Sequence, residues 1–348
     1  MPTEYAEFLF VRNVKYYVVM QMKGKSWLMA FILGFVLPGV IFSVAEKLYL
    51  HTDKRPPVHT SPTESGNMQT YPQQSGNHNI NVQNTALEIE TMDVNTYVVG
   101  VLLGELPADF DAETMKAQAV VARTYALKRQ LSGQKHSGAV CMDSACCQAY
   151  CGIGDFLAKG GRQETVDKVT SAVNETAYQI LTYNNQLIEA TYFSCSGGRT
   201  EDAVAVWGAE IPYLQAVDSP GEEQATHYTD SVRFTKREFA ELLGINPKGQ
   251  LVTWFGNITY TNGGGVDTIV IGGKTFLGTD LRKLLDLRST AFTITPMEDT
   301  VQIVTKGFGH RVGMSQYGAE AMAAGGANYE QILSHYYPGT ELKDFGQN

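Results

Sequence analysis

A proline between two predicted helices is the feature that most constrains the fold of this chain. Val98, Val101 and Leu102 recur at helical spacing. Glu105 lies on the next turn of the same apolar face. Pro107 disfavours helical geometry in the residue before it, so the first helix is predicted to end near position 106. Glu105 is then at an accessible helix end, and its apolar surroundings are expected to raise its pKa.

The second helix is predicted to be mostly buried. Asp109 and Asp111 are both N-cap residue types, and small apolar side chains follow on almost every face. Arg123 lies inside this apolar helix, where a guanidinium needs an anionic or multiply hydrogen-bonded partner. Glu105, another carboxylate or a ligand could supply that partner.

A run of 20 residues without charge, 26–45, is long enough to cross a bilayer as one helix. We predict a single transmembrane anchor, with residues 1–25 in the cytoplasm because basic residues are slightly more frequent before the run than after it. A cleaved signal peptide is the alternative, since Ser43-Val44-Ala45 has the small-x-small pattern of a cleavage site. The rest of the chain is expected to lie outside the cytoplasm.

The fold class predicted for the remaining residues is α+β, with a helical catalytic core and a mixed or antiparallel β-rich subdomain after the membrane helix. Residues 46–85 are predicted to be a flexible linker, because from position 51 they are rich in Pro, Ser, Gln and Asn. The folded domain is predicted at 86–348, and within it about 212–296 alternates strand-like runs with Gly and Asn turns. The net charge of −9 argues against a nucleic-acid partner.

Cysteines are concentrated in one short segment of the domain. Cys141, Cys146, Cys147 and Cys151 fall within eleven residues, and His136 lies just upstream. Thiolates and an imidazole suit zinc, whereas a disulfide is the alternative in an extracytoplasmic domain. Adjacent Cys146 and Cys147 do not easily bind one ion together, so at least one of the two thiols is expected to be free of the metal or structural.

Four segments resemble, in the same order, the SpoIID/LytB family of cell-wall lytic transglycosylases from endospore-forming bacteria. They are VGVLLGELPADFDAETMKAQAVVARTYAL, YFSCSGGRTEDAVAVWG, LRKLLDLRSTAFTI and GFGHRVGMSQYGAEAMAAGGANYEQILSHYYPGTEL, within residues 88–343. The resemblance implies that Glu105 is the catalytic acid. It implies an enzyme that cleaves the bond between N-acetylmuramic acid and N-acetylglucosamine in peptide-stripped peptidoglycan and leaves 1,6-anhydro ends.

The resemblance also implies a metal, on His136, Cys141 and Cys147, with Cys146 as the less favoured ligand. It implies action beside a cell-wall amidase and the membrane proteins of the engulfment machinery, in the mother-cell membrane during spore formation. The rival interpretation is a non-catalytic wall-binding module or amidase enhancer, since the family name also covers such proteins.

Two glycine-rich segments are expected to contact the glycan. In 194–199 a Gly pair lets backbone N–H groups approach a ligand closely, and 307–316 lacks the spacing of a nucleotide-binding loop. Two alternatives to glycan contact remain. His310 could be a structural residue, or Cys195 and His310 could form a thiol nucleophile and its base. The residues expected to bind substrate are Arg123, Tyr125, Ser194, Ser196, Gly197, His310, Ser315 and Gln316.

Overall fold

A computed structural model of the chain describes residues 79–133 and 136–345. The predicted segments 1–25 and 26–45 lie outside these residues. Within the described ranges, no helix has the length and the apolar composition needed to span a bilayer.

The two predicted helices are present, and their ends match the sequence signals. Helix α1 is Val94–Glu105 and helix α2 is Ala112–Ser132. The carboxylate of Asp93 caps α1 by accepting from two backbone N–H groups, and Asp111 caps α2. The chain becomes extended directly after Glu105, ahead of the proline. The prediction that Glu105 ends the first helix is therefore confirmed.

A small three-stranded sheet packs against the helix pair. Strands β1 (Asn79–Gln83), β2 (Ile89–Asp93) and β3 (Val140–Cys141) form a sheet in the order β2-β1-β3, antiparallel between β1 and β2 and parallel between β1 and β3. Ile80 and Val82 are fully buried. Residues 79–83 of the predicted linker therefore form a strand, because alternating apolar side chains in this polar segment join the core.

Two short helices and a small sheet follow this first layer. They are α3 (Ile153–Ala158), α4 (Gln163–Glu175), β4 (Gln179–Tyr183) and β5 (Gln186–Leu187). The β4–β5 turn has positive φ at Asn184 and Asn185, as the Asn pair predicted. Helix α4 packs against α1 and α2.

A second core forms on the other side of α2. Its elements are β6 (Tyr192–Phe193), α5 (Ala203–Trp207), β13 (Met314–Ser315), α8 (Gln316–Ala324), α9 (Tyr329–Tyr336) and β14 (Glu341–Asp344). Strand β13 pairs with β6 in parallel, and β14 pairs with β4 in antiparallel orientation. The pairing of β6 with β13 brings the two glycine-rich segments together.

The β-rich subdomain has its own core and extends from β7 to β12. Its elements are β7 (Thr229–Thr235), α6 (Lys236–Leu243), β8 (Phe255–Tyr260), β9 (Val266–Ile271), β10 (Lys274–Leu277), α7 (Gly278–Leu284), β11 (Phe292–Pro296) and β12 (Thr300–Lys306). Two antiparallel sheets have the orders β10-β9-β8 and β11-β12-β7. The predicted limits of 212–296 are thus shifted, because β12 returns to pair with β7. The described chain is a mixed α+β fold.

Arg123 is a structural residue of α2. Its side chain is fully buried and donates to Asn95 Oδ1 and to the carbonyl oxygens of Val173 and Gln179. Burial lowers its pKa to about 10, so it remains charged at neutral pH. The expectation that Arg123 binds substrate is not supported, because its guanidinium has no exposed surface and the protein itself takes its donors.

Replacing Arg123 is expected to destabilise the fold. Arg123→Leu removes three hydrogen bonds to buried or partly buried acceptors, which costs about 3 kcal/mol of unfolding free energy. The exposed Arg162→Leu is the matched control and changes stability by about 0.5 kcal/mol or less. Chemical denaturation of both variants measures the difference. Equal stability of the two variants would contradict the structural role.

Candidate active site and metal centre

The carboxyl group of Glu105 is held through one of its two oxygens. Oε1 accepts from the Ala149 backbone N–H at 2.7 Å and from the Tyr192 hydroxyl at 3.1 Å. Neither of these two donors contacts Oε2. The side chain is partly exposed at the end of α1. The second oxygen is therefore the one left for a reacting group.

Two glycines of α1 allow Ala149 to reach Glu105. The backbone N–H of Cys151 donates to Gly100 O at 2.9 Å, so residues 149–151 lie directly on the helix. A Cβ atom at Gly104 would lie 3.0 Å from the Tyr150 backbone nitrogen, and one at Gly100 would collide with the Tyr150 ring. The glycine spacing of one helical turn thus makes room for the segment that binds the carboxylate.

The pKa of Glu105 is raised, and the cause is burial. The Ala149 N–H, the Tyr192 hydroxyl and the Gln316 amide act in the opposite direction and do not cancel the rise. In the described ranges, no Lys or Arg forms an ion pair with this carboxyl group. The predicted rise is confirmed, and the arrangement favours a neutral carboxylic acid that is able to donate a proton.

Gln316 is the predicted substrate residue that lies beside Glu105. Its side chain is 6% exposed, and its Nε2 has no hydrogen-bond partner within the described part of the chain. It is nevertheless close enough to lower the Glu105 pKa. Gln316 is the first residue of α8, and the Ser315 hydroxyl caps that helix by accepting from Gly318 N.

Glu222 is a buried carboxylate that sequence reasoning missed. Its Oε2 accepts from the backbone and hydroxyl of Ser196 and from Gly197 N, and its Oε1 accepts from Ser219 and from Ser315 at 2.5 Å. It is 1% exposed. Ser196, Gly197 and Ser315 therefore hold this carboxylate, and their expected contacts with substrate are not supported. Nothing in the local sequence marked Glu222.

Ser194 and Tyr125 also have protein partners. The Ser194 carbonyl accepts from Tyr317 N at 3.0 Å. Tyr125 is nearly buried, and the Arg129 guanidinium lies 4.9 Å from its ring centroid. Both residues therefore have structural contacts, and no hydrogen bond among the described residues joins either of them to Glu105.

His310 and Cys195 do not form a nucleophile and its base. The Nδ1 atom of His310 accepts from Val312 N at 3.1 Å, and burial lowers its pKa to about 4. Cys195 is fully buried, its Sγ contacts His227 O at 3.7 Å, and burial raises its pKa to about 11. Because a nucleophilic cysteine needs a lowered pKa and access, these features contradict the thiol alternative. They support the structural alternative for His310.

Arg311 joins the two glycine-rich segments. Its φ of 66° is in the left-handed region, and its buried guanidinium pairs with Glu201 at 3.0 Å. The same side chain donates to the carbonyl oxygens of Ser196, Arg199 and Gly263. These contacts fix the loops around β6 and β13, which carry Tyr192 and lead into Gln316.

A His/Cys cluster lies in the segment that precedes Ala149. The ligand atoms of His136, Cys141, Cys146 and Cys147 all lie within 4.8 Å of one another. His136 Nε2 and Cys146 Sγ are 3.3 Å apart. Cys146, the less favoured ligand in the sequence prediction, lies in this cluster together with Cys147, because the turn at 143–147 brings both adjacent thiols to it. The cluster could hold a metal ion.

Together, the fold and the site define a mixed α+β domain with a buried acid beside a His/Cys cluster. A family model described as SpoIID, stage II sporulation protein, matches residues 82–183. Stage II sporulation protein D of Bacillus subtilis (strain 168) is 40% identical to the chain over 262 residues, which covers 74% of this chain and 76% of that protein. The Bacillus amyloliquefaciens protein of the same name is 38% identical with the same coverage. The chain belongs to the SpoIID family.

A third relative has a different name. The amidase enhancer of Bacillus subtilis (strain 168) is 28% identical over 305 residues, which covers 71% of this chain and 40% of that protein.

Proposed function

We propose that this chain is a sporulation protein that cleaves peptidoglycan as a lytic transglycosylase, with Glu105 as its catalytic acid. The observation that carries the proposal is the buried carboxyl group with a raised pKa, with Oε1 occupied by two donors that do not contact Oε2. Membership in the SpoIID family supports the role in the cell wall during spore formation.

The proposed reaction needs one carboxyl group in two successive roles. Neutral Glu105 donates its proton to the glycosidic oxygen, and the bond between that oxygen and C1 of N-acetylmuramic acid breaks. The oxygen of the muramic 6-hydroxyl group then bonds to C1 and closes the 1,6-anhydro ring. The Glu105 carboxylate accepts the proton of that hydroxyl group, which restores the acid. A raised pKa increases the fraction of Glu105 in the neutral form that this first step needs.

The surroundings of Glu105 favour this reaction over hydrolysis. Hydrolytic glycosidases normally use two carboxyl groups, one of which activates water or attacks the sugar. The Glu105 pKa is shifted by burial and by hydrogen-bond donors on Ala149, Tyr192 and Gln316. No second carboxylate is among these causes. A single-acid transglycosylase fits this composition.

The proposal includes a location and partners. The charge-free run 26–45 would anchor the enzyme as a single-pass protein of the mother-cell membrane, with the domain on the extracytoplasmic side. Peptide-stripped glycan strands are the proposed substrate. A cell-wall amidase, which would produce such strands, and membrane proteins of the engulfment machinery are the proposed partners.

We also propose that the His/Cys cluster holds one zinc ion. Tetrahedral ligands at zinc–ligand distances near 2.3 Å lie about 3.8 Å apart, a spacing that fits the cluster. His136, Cys141, Cys146 and Cys147 would hold the ion, and its bound charge would keep the thiols deprotonated. Gln148 and Ala149 follow Cys147 directly, so the ion would stabilise the segment that contacts Glu105.

The catalytic role of Glu105 is tested by product analysis. Full-length protein incubated with peptide-free glycan strands is expected to yield 1,6-anhydro-muramic ends by mass spectrometry. Glu105→Gln is expected to lower the yield at least about 100-fold, because the amide has no acidic proton to donate. Glu164→Gln, on the exposed start of α4, is the matched control with unchanged yield.

Three other results of that experiment would contradict part of the proposed function. Reducing ends in place of anhydro ends would contradict a transglycosylase. Equal cleavage by Glu105→Gln would remove Glu105 from the reaction. Binding to the strands without any cleavage would support the non-catalytic alternative, which the amidase enhancer relative favours.

The metal proposal is tested by zinc content. One zinc per chain is expected, and Cys147→Ser is expected to weaken zinc binding at least about tenfold in competition with a chelator. Cys151→Ser is the control, because Cys151 lies outside the cluster. A disulfide between cluster cysteines in metal-free protein as isolated, found by thiol titration, would contradict the zinc site.

A further inference from the structure

A chain of buried hydrogen bonds leads from α1 to the catalytic carboxyl group. The Tyr97 hydroxyl donates to Gln148 Oε1, and Gln148 Nε2 donates to the Tyr192 hydroxyl, each at 3.1 Å. The Tyr192 hydroxyl then donates to Glu105 Oε1 at 3.1 Å. Tyr97 and Gln148 are both fully buried. Neither residue was among the predicted site residues.

The amide in the middle gives this chain a direction. A glutamine amide has a donor at one end and an acceptor at the other, so Tyr97 at the oxygen end leaves the nitrogen end for Tyr192. A tyrosine hydroxyl has a single proton. Since the Tyr192 hydroxyl accepts from Gln148 Nε2, its own proton is directed at Glu105.

The direction of the Tyr192 O–H decides which oxygen of neutral Glu105 carries the acidic proton. Oε1 accepts from two donors, the Tyr192 hydroxyl and the Ala149 N–H. A proton on Oε1 would face both of these donors, whereas a proton on Oε2 faces none of them. The acidic proton therefore lies on Oε2, the oxygen open to a substrate.

We propose that Gln148 and Tyr97 are positioning residues that fix the direction of the Tyr192 O–H and thereby place the acidic proton of Glu105 on Oε2. The proposal rests on the function proposed for Glu105. Neither residue contacts the reacting atoms, and both act through Tyr192. Among the described residues, the titratable groups that face Glu105 are the phenols of Tyr192 and Tyr97.

The test is a titration of Glu105 in the absence of substrate. Full-length protein carrying ¹³C-labelled glutamate side chains is titrated by NMR, and Glu105→Gln assigns the signal. Tyr97→Phe releases the amide to turn its oxygen toward Tyr192, which then donates to Gln148. Glu105 loses a donor to its charged form, so its pKa is expected to rise by about one unit. Tyr213→Phe, which also removes a buried hydroxyl with a hydrogen bond, is the control with no shift.

A double-mutant cycle separates positioning from a general structural effect. Tyr192→Phe alone is expected to raise the Glu105 pKa in the same direction, because it removes the same donor. In the Tyr192→Phe background, Tyr97→Phe is expected to add no further shift, since no hydroxyl remains to be directed. An unchanged pKa in Tyr97→Phe, or a shift that persists in the Tyr192→Phe background, would overturn the proposal.

The titration is independent of the cleavage assay. If the protein fails to cleave glycan but the cycle behaves as expected, the function is wrong and the positioning of the proton stands. If cleavage depends on Glu105 but the cycle is additive, the function stands and the positioning is wrong.

Discussion

The partial burial of one carboxyl group, with no Lys or Arg among the described residues paired to it, is the interaction on which the rest of this site depends. Burial of Glu105 raises its pKa, and hydrogen bonds to a single oxygen limit the rise without reversing it. The helix end before Pro107 exposes the other oxygen. The glycines of α1 admit residues 149–151, and β6 supplies Tyr192. These elements together favour the neutral form of the carboxyl group and leave it partly exposed.

Other buried charges in the molecule are satisfied in a different way. Glu222 accepts hydrogen bonds on both oxygens, and Arg123 donates to three acceptors of the protein. Arg311 pairs with Glu201 and binds three carbonyl groups. Hydrogen bonds of this kind to other protein groups stabilise a fixed structure. Glu105 differs in being partly exposed, with its hydrogen bonds from Ala149 and Tyr192 both on Oε1, and the neighbouring Gln316 has an Nε2 without a hydrogen-bond partner among the described residues.

Local patterns were sufficient for part of this arrangement. The helix pair and the helix end at Glu105 follow from neighbours close in sequence, and the structure confirms them. Of the two candidate caps the structure uses Asp111, and three of the four clustered cysteines lie together with His136. The contacts that define the site are long-range. Tyr192 is 87 residues from Glu105, and Ser315 is 93 residues from Glu222. The spacing of residues along the chain does not predict such long-range pairs. The partners of Arg123, Ser196 and Ser315 were therefore missed.

The pH dependence of glycan cleavage tests the central claim most directly. If neutral Glu105 is the acid, kcat/KM is present below its pKa and is lost as pH rises through it. The raised pKa puts this loss above the usual range for a glutamate, about 4.3. Removing a donor to the carboxylate raises the pKa further, so Tyr192→Phe is expected to move the loss to higher pH. A rate that increases with pH across this range, or a loss that Tyr192→Phe does not move, would contradict the account.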